Sequence, residues 1–397
     1  MPKHPFFRPC PICSHTTGDV LHTQRFALFD DYPLPAEYDV VACDACGMIF
    51  ADTAATQADY ERYYATCSIY QDPSVSGDWD IRRQTESVKR MARLLESKDA
   101  RILDIGCANG GLLQRFREAG FTNLVGVDPS TVCVANARSR GVEAWQGSLS
   151  ALPRDVGACD LVILNSVLEH VLDVKGAIRA MASVCCPTGK LFLQVPDAAA
   201  YADHVHAPFQ DFNTEHINHF STDALDRLMA QFELGRCHSE SVIVHGVSGF
   251  EFAELEAAYE MGPGARGRGP GASELRAGIV RYIARSGELM GSLNRQIEKA
   301  LGQSPKLIVW GTGQLAMKLL RETALSGARI VAFVDSNSVH RGRRIRGIPV
   351  LMPEDVNDPT VPVLIATLLH TEPVRARMRA LGWASPVITL SGATASR

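Results

Sequence analysis

The stretch RILDIGCANGGLLQRFREAGFTNLVGVDPS, residues 101–130, constrains the fold more than any other part of the chain. Arg101–Ile105 predicts a buried strand, the glycines from Gly106 to Gly111 a tight turn, and Leu112–Ala119 a helix. Leu124–Val127 predicts a second strand, which ends on Asp128. Strand, glycine turn, helix and strand in this order make one unit of a doubly wound α/β sheet. Its glycines let the backbone approach a ligand, and a carboxylate at the second strand end takes ribose hydroxyls. Taken alone, the unit is also compatible with an unliganded turn or a dinucleotide site.

Dinucleotide enzymes carry G-x-G-x-x-G at this turn, with room for a pyrophosphate. This chain has Asp104-Ile105-Gly106-Cys107-Ala108-Asn109-Gly110, with an acid on the strand before the glycines. The pattern resembles motif I of class I S-adenosylmethionine (SAM) methyltransferases, where no pyrophosphate needs a seat. That resemblance implies SAM as cofactor, held by Asp104, Gly106, Cys107, Asn109, Gly110, Asp128 and Pro129. It also implies that Gly147 and Ser148, in the loop after the third strand, flank adenine. Asn165, which follows the apolar strand Asp160–Leu164, faces the methionine end of such sites.

A chain of 397 residues is too long for one core, and four segments are expected. Residues 1–75 hold a four-cysteine module and an aromatic linker, 76–245 the α/β core, 246–302 a helical linker, and 303–397 a second Rossmann-like domain. In the first segment, Cys10-Pro-Ile-Cys13 and Cys43-Asp-Ala-Cys46 present two pairs of thiolates. Four soft ligands suit a structural zinc ion; an iron–sulfur site is the alternative, and a redox CxxC would need only one pair. Nucleic-acid recognition by such a module would want a basic face, which is lacking around the knuckles. Tyr60, Tyr63, Tyr64 and Tyr70 follow in a predicted helix and loop, most of them as packing residues.

Residues 246–300 read as helical, interrupted by the exposed loop GPGARGRGPG at 262–271 and resumed at about 273. Lys306–Trp310, Gly311-Thr312-Gly313-Gln314 and Ile330–Val334 with Asp335 echo the first glycine unit. Ala316 replaces the glycine that helix–strand packing favours, which speaks against NAD. His340–Arg346 is the most concentrated basic patch, read either as a phosphate grip or as a solvated loop.

Hydrophobic residues make up 46% of the chain, charged residues 21%, and the net charge is −4. This balance gives no electrostatic case for nucleic acid or an anionic membrane. No apolar run follows the N-terminus and no segment reaches the length of a membrane span, so a cytoplasmic location is expected. Of the 11 cysteines, those outside the CxxC pairs are scattered among apolar neighbours and read as buried thiols.

Two Glu-His pairs could remove a proton. Glu169-His170 follows the fourth strand, and Glu215-His216 lies in FNTEHINHF after the fifth, both on the carboxyl-end face of the sheet. A histidine suits base work near neutral pH, and an adjacent carboxylate can orient or polarise a substrate group. A metal site from His204, His206, His216 and His219 is conceivable, although their spacing is not that of a helical ligand pair.

The order of zinc module, SAM core, helical linker and second Rossmann-like domain resembles the sugar C-methyltransferases that act on TDP-linked 4-keto-6-deoxyhexoses. That resemblance implies His216, with Glu215, as the base that generates an enolate, His170 as a second active-site histidine, and Tyr70 as the active-site tyrosine. Asn213 departs from the family, which has tyrosine shortly before its Glu-His pair. The expected activity is C-methylation of a nucleotide-linked keto-deoxysugar; the alternative is O- or N-methylation of a sugar nucleotide or other small metabolite. A nucleic-acid or protein-binding module on the same fold and an NAD-dependent oxidoreductase are the remaining readings. No nucleic acid or membrane partner is expected, and the oligomeric state is left open.

Overall fold

A computed structural model describes residues 3–66, 78–246, 249–264, 271–303, 306–358 and 360–392. Four antiparallel strands come first: β1 (His4–Pro5), β2 (Thr17–Arg25), β3 (Glu37–Cys43) and β4 (Ile49–Asp52). Both cysteine pairs sit at turns, one between β1 and β2 and the other between β3 and β4. Gly47 closes the second turn at a φ of 74°, and a Cβ there would lie 2.3 Å from the Ala272 Cβ. Only glycine meets both demands. Helix α1 (Gln57–Thr66) follows.

Helix α2 (Asp78–Ala92) leads into β5 (Ile102–Ile105), α3 (Gly111–Glu118), β6 (Leu124–Asp128), α4 (Thr131–Ser139), β7 (Glu143–Gln146), β8 (Cys159–Asn165), α5 (Val174–Val184) and β9 (Cys185–Pro196). The loop after β9 carries β10 (Asn218–His219), which leaves the central sheet and pairs with β4. Helix α6 (Thr222–Met229), β11 (Leu234–His245) and β12 (Glu251–Met261) complete the unit. The sheet order is β11-β12-β9-β8-β5-β6-β7; neighbours are parallel from β9 to β7, and β12 is antiparallel to both β9 and β11. Every residue of β5 and β6 is buried, as parallel strands covered on both faces require. Ser130, Asp173 and Ser221 cap α4, α5 and α6 by accepting a backbone N–H.

The expected helix after residue 246 is overturned: Glu251–Met261 is a strand of the central sheet, which therefore runs past residue 245. Its glutamates and alanines favour helix, but tertiary pairing wins. Glu256 is fully buried, and Arg90 donates to both its oxygens and Ser87 to one of them; two turns earlier on α2, Arg83 donates to one oxygen of Glu254.

Helix α7 (Ala272–Leu301) crosses to the C-terminal unit: β13 (Lys306–Trp310), α8 (Gln314–Glu322), β14 (Arg329–Val334), β15 (Arg344–Ile345), β16 (Ile348–Leu351), β17 (Val363–Ile365), α9 (Thr371–Ala380) and β18 (Val387–Thr389). Its sheet runs β15-β16-β14-β13-β17-β18 and is parallel apart from the β15 edge. The basic stretch 340–346 is neither a free phosphate grip nor a simple solvated loop. Arg343 binds Asp31 and stacks over Phe29, while the Asp30 carboxylate accepts the backbone N–H groups of Arg346 and Gly347. The patch clamps the N-terminal module onto the C-terminal domain. One apolar cluster, including Phe26, Tyr38, Tyr63, Phe212, Tyr282 and Leu319, runs through both parts and the loop after β9.

Candidate active site

The first glycine turn is shaped for close approach. Gly106 has φ 84° and a Cβ there would meet the Val167 Cγ2 at 2.6 Å; Gly110, at φ 77°, starts α3. Asp128 holds the turn from β6: its carboxylate accepts the N–H of Ala108 at 2.8 Å and of Ser130 at 2.9 Å. Cys107 turns its thiol into the core beside Gly126, so only its backbone can face a ligand. The Asn109 carboxamide oxygen accepts from Asn136. Pro129 is exposed at the end of β6, and Gly147 and Ser148 lie after β7, where Gly147 N donates to Asp128 O at 3.1 Å.

Asp104 Oδ1 and Asn165 Oδ1 are buried without a partner among the described residues. Burial and the nearby Asp128 push the Asp104 carboxyl up to about 7. Unsatisfied buried oxygens are costly unless a ligand completes them. Two such acceptors beside a backbone turn open to a small polar group fit a SAM-type cofactor, with Asp128 available to ribose hydroxyls.

Beyond Asn165, the two Glu-His pairs meet. The segments are stitched by Ile217 N to Glu169 O at 2.9 Å, His170 Nδ1 to Glu215 O at 3.1 Å, and Asn218 Nδ2 to Leu168 O at 3.1 Å. The His170 and His216 rings lie 4.8 Å apart, edge to face. Burial lowers both imidazoles, His170 to about 4, and pushes the Glu169 carboxyl up to about 8. Burial also raises Glu215, opposed by its hydrogen bond from the Tyr63 hydroxyl. Both histidines are therefore neutral near pH 7, the state a base requires.

Asn213 builds the turn that presents this pair. Its Oδ1 accepts from Glu215 N at 2.8 Å and His216 N at 2.7 Å. The loop is braced from three sides: Tyr38 OH donates to Asn213 O, Tyr60 OH to Thr214 O, and Gln314 Nε2 to Thr214 Oγ1, which also meets Tyr32 OH. The sequence reading assigned none of these residues a bracing role, and the aromatic density of residues 57–64 pointed to Tyr60 alone. Tyr64 stands edge-on to His170 at 6.2 Å, whereas Tyr70 lies outside the described residues. His204, His206, His216 and His219 do not converge: His206 bonds Glu251 O, His219 packs against Phe212 and Tyr201, and His216 clusters with Glu169 and His170.

Cys10, Cys13, Cys43 and Cys46 converge, with Sγ separations of 3.6 Å (Cys10–Cys46) and 3.5 Å (Cys13–Cys43). Four thiolates on zinc at about 2.3 Å stand about 3.8 Å apart, so the set suits a tetrahedral ion. At the second glycine turn, Asp335 accepts from Thr312 N, Thr312 Oγ1 and Asn337 N and faces His340, so this carboxylate serves its own loop. A cavity of about 600 Å³ opens there, lined among others by Phe26, Phe209, Trp310, Gly313, Lys318 and Asn337.

Residues 79–235 match the family model described as a methyltransferase domain. This central part is a methyltransferase domain. Its sheet is the class I fold, six strands of one direction with the antiparallel β12 inserted between β9 and β11. Over 139 residues the chain is 30% identical to a trans-aconitate 2-methyltransferase of Acidovorax ebreus, covering 34% of this chain and 52% of that protein. It is 34% identical over 106 residues to a ubiquinone biosynthesis O-methyltransferase of Xanthomonas axonopodis, covering 25% and 44%. The chain thus spans about half the length of the curated relatives it matches. A magnesium protoporphyrin IX methyltransferase structure from Synechocystis, with bound SAH, is 15% identical and covers 51% of this chain and 99% of that one, at a TM-score of 0.40. Among the described residues, no helix is long and apolar enough to cross a membrane.

Proposed function

We propose that the protein is a SAM-dependent methyltransferase that transfers a methyl group to carbon on a nucleotide-linked keto-deoxysugar. The observation that carries this reading is the meeting of His170 and His216, with His170 three residues after Val167, which packs against Gly106 of the glycine turn. Bound at that turn, SAM supplies an electrophilic methyl group. Asp104, Gly106, Cys107, Asn109, Gly110, Asp128 and Pro129 hold it, with Gly147 and Ser148 beside the adenine and Asn165 at the methionine end. His216 takes the proton from the carbon next to the ketone, and Glu215, with Tyr63 on its carboxylate, orients the acceptor. His170 is the second basic group. The resulting enolate needs a hydrogen-bond donor; the position of Tyr64, edge-on to the His170 ring, supports a tyrosine of the segment after the cysteine module in that role. The cavity at the C-terminal glycine turn provides room for the distal part of a small-molecule acceptor. Zinc on the four cysteines has a structural role.

Oxygen or nitrogen methylation is the second reading, and the O-methyltransferase name of one relative favours it. Both use the same base, so product NMR after incubation with labelled SAM and a panel of sugar nucleotides separates them. His216→Asn is expected to abolish exchange of the ring-carbon proton with deuterated solvent; unimpaired exchange removes His216 from the base role.

A further inference from the structure

The cluster around His216 contains more lone pairs than donors. A carbonyl only accepts, so the 3.1 Å contact with Glu215 O fixes the proton of His170 on Nδ1 and leaves its Nε2 bare. That Nε2 stands 3.7 Å from Glu169 Oε1, too far for a hydrogen bond. Glu169 Oε2 and His216 Nδ1 are buried with no partner among the described residues. Glu169, His170 and His216 each offer one ligand atom to a common space, and these atoms lie within 4.8 Å of one another. Arg83, the nearby cation, already binds Glu254 and Asp80.

Two imidazole nitrogens and a carboxylate oxygen form a ligand set for zinc rather than for magnesium or calcium. The Nδ1–H of His170 held by a backbone carbonyl is the outer contact that metal-bound histidines use. A tetrahedral zinc with bonds of about 2.1 Å wants its ligands about 3.4 Å apart, so a pair at the 4.8 Å limit closes with a side-chain shift of about 1.4 Å. We propose that Glu169, His170 and His216 bind a zinc-type divalent cation, which switches the site off by occupying the lone pairs the base needs. The switch rests on the base role proposed above; the binding site does not. Bond-making is simple coordination: the cation displaces protons to solvent and leaves again when chelated.

The test uses the full chain, titrated with Zn²⁺ against a chromophoric chelator, with metal content measured after dialysis. The wild type is expected to take two equivalents, one tight on the cysteines and one weaker. Glu169→Gln and His170→Ala are expected to lose the second and keep the first, with SAM binding retained as proof of folding. One equivalent in the wild type, or a second equivalent retained by both variants, overturns the site. Ring-proton exchange is expected to fall in step with second-site occupancy. Full occupancy without loss of exchange overturns the switch, whereas exchange in zinc-limited protein tests the base role separately.

Discussion

At the residue scale, Asn213 shows how one substitution changes the meaning of a motif. The sequence presents it as the loss of a substrate-facing tyrosine; the structure makes it the acceptor that orders Glu215 and His216 through their backbone N–H groups. Each such bond contributes about 0.5–1.5 kcal/mol, and a catalytic group displaced by about an ångström loses about 10²-fold in rate. Asn213→Ala is therefore expected to lower turnover by about 10²-fold while SAM affinity, measured by calorimetry, stays unchanged. Asn213→Asp keeps an acceptor at the same place and is expected to recover most of the loss. Residue identities such as Asp104, Gly106 and Asp128 were legible because glycine at positive φ and an acid at a strand end leave a local trace. The bracing of Thr214 was not, since Tyr32, Tyr60 and Gln314 lie 182, 154 and 100 residues away in sequence.

At the scale of elements, β12 shows where pattern reading fails. EFAELEAAYEM has helix-favouring composition, and its buried glutamates are tolerable only because α2 brings arginines to them. A one-dimensional pattern carries no record of that pairing. The same limit applied to stretch 340–346, where Asp31 takes the Arg343 guanidinium and Asp30 the backbone N–H groups of Arg346 and Gly347. The loop–α7 contact offers a measurable counterpart. Asp211 N donates to Tyr282 OH at 2.8 Å, and burial raises the Asp211 carboxyl from 3.8 to about 7. Between these values the folded chain holds a proton that the unfolded chain has released, so this group's contribution is present below about 4 and lost as pH rises to about 7. Asp211→Asn is expected to shrink the fall in Tm between pH 5 and pH 8; melts at the two values showing an unchanged fall would assign it elsewhere.

At the scale of the whole molecule, the three sheets are joined at one loop. β10 belongs to the cysteine module's sheet although its residues follow β9 of the methyltransferase domain, and Arg8 fastens it by donating to Ile217 O and Asn218 Oδ1. Removing metal from the four cysteines is therefore expected to act at a distance. Hydrogen exchange should quicken across residues 212–219 and turnover should fall, while SAM binding and protection of β5, β6 and β8 persist. Equal loss of protection throughout the central sheet would mean that the module supports the whole fold instead of this loop.

The two-residue pairing of β10 with β4 also bears on the order in which the molecule comes into being. A strand that short cannot hold alone. It waits for a sheet made earlier in synthesis, while Gln314, which braces the same loop, is made much later. The cofactor turn can be complete before the loop beside it has its final brace. In a newly made chain the glycine turn thus takes shape before the Glu-His loop is fully held, and a later segment, bringing Gln314, secures what an earlier one began.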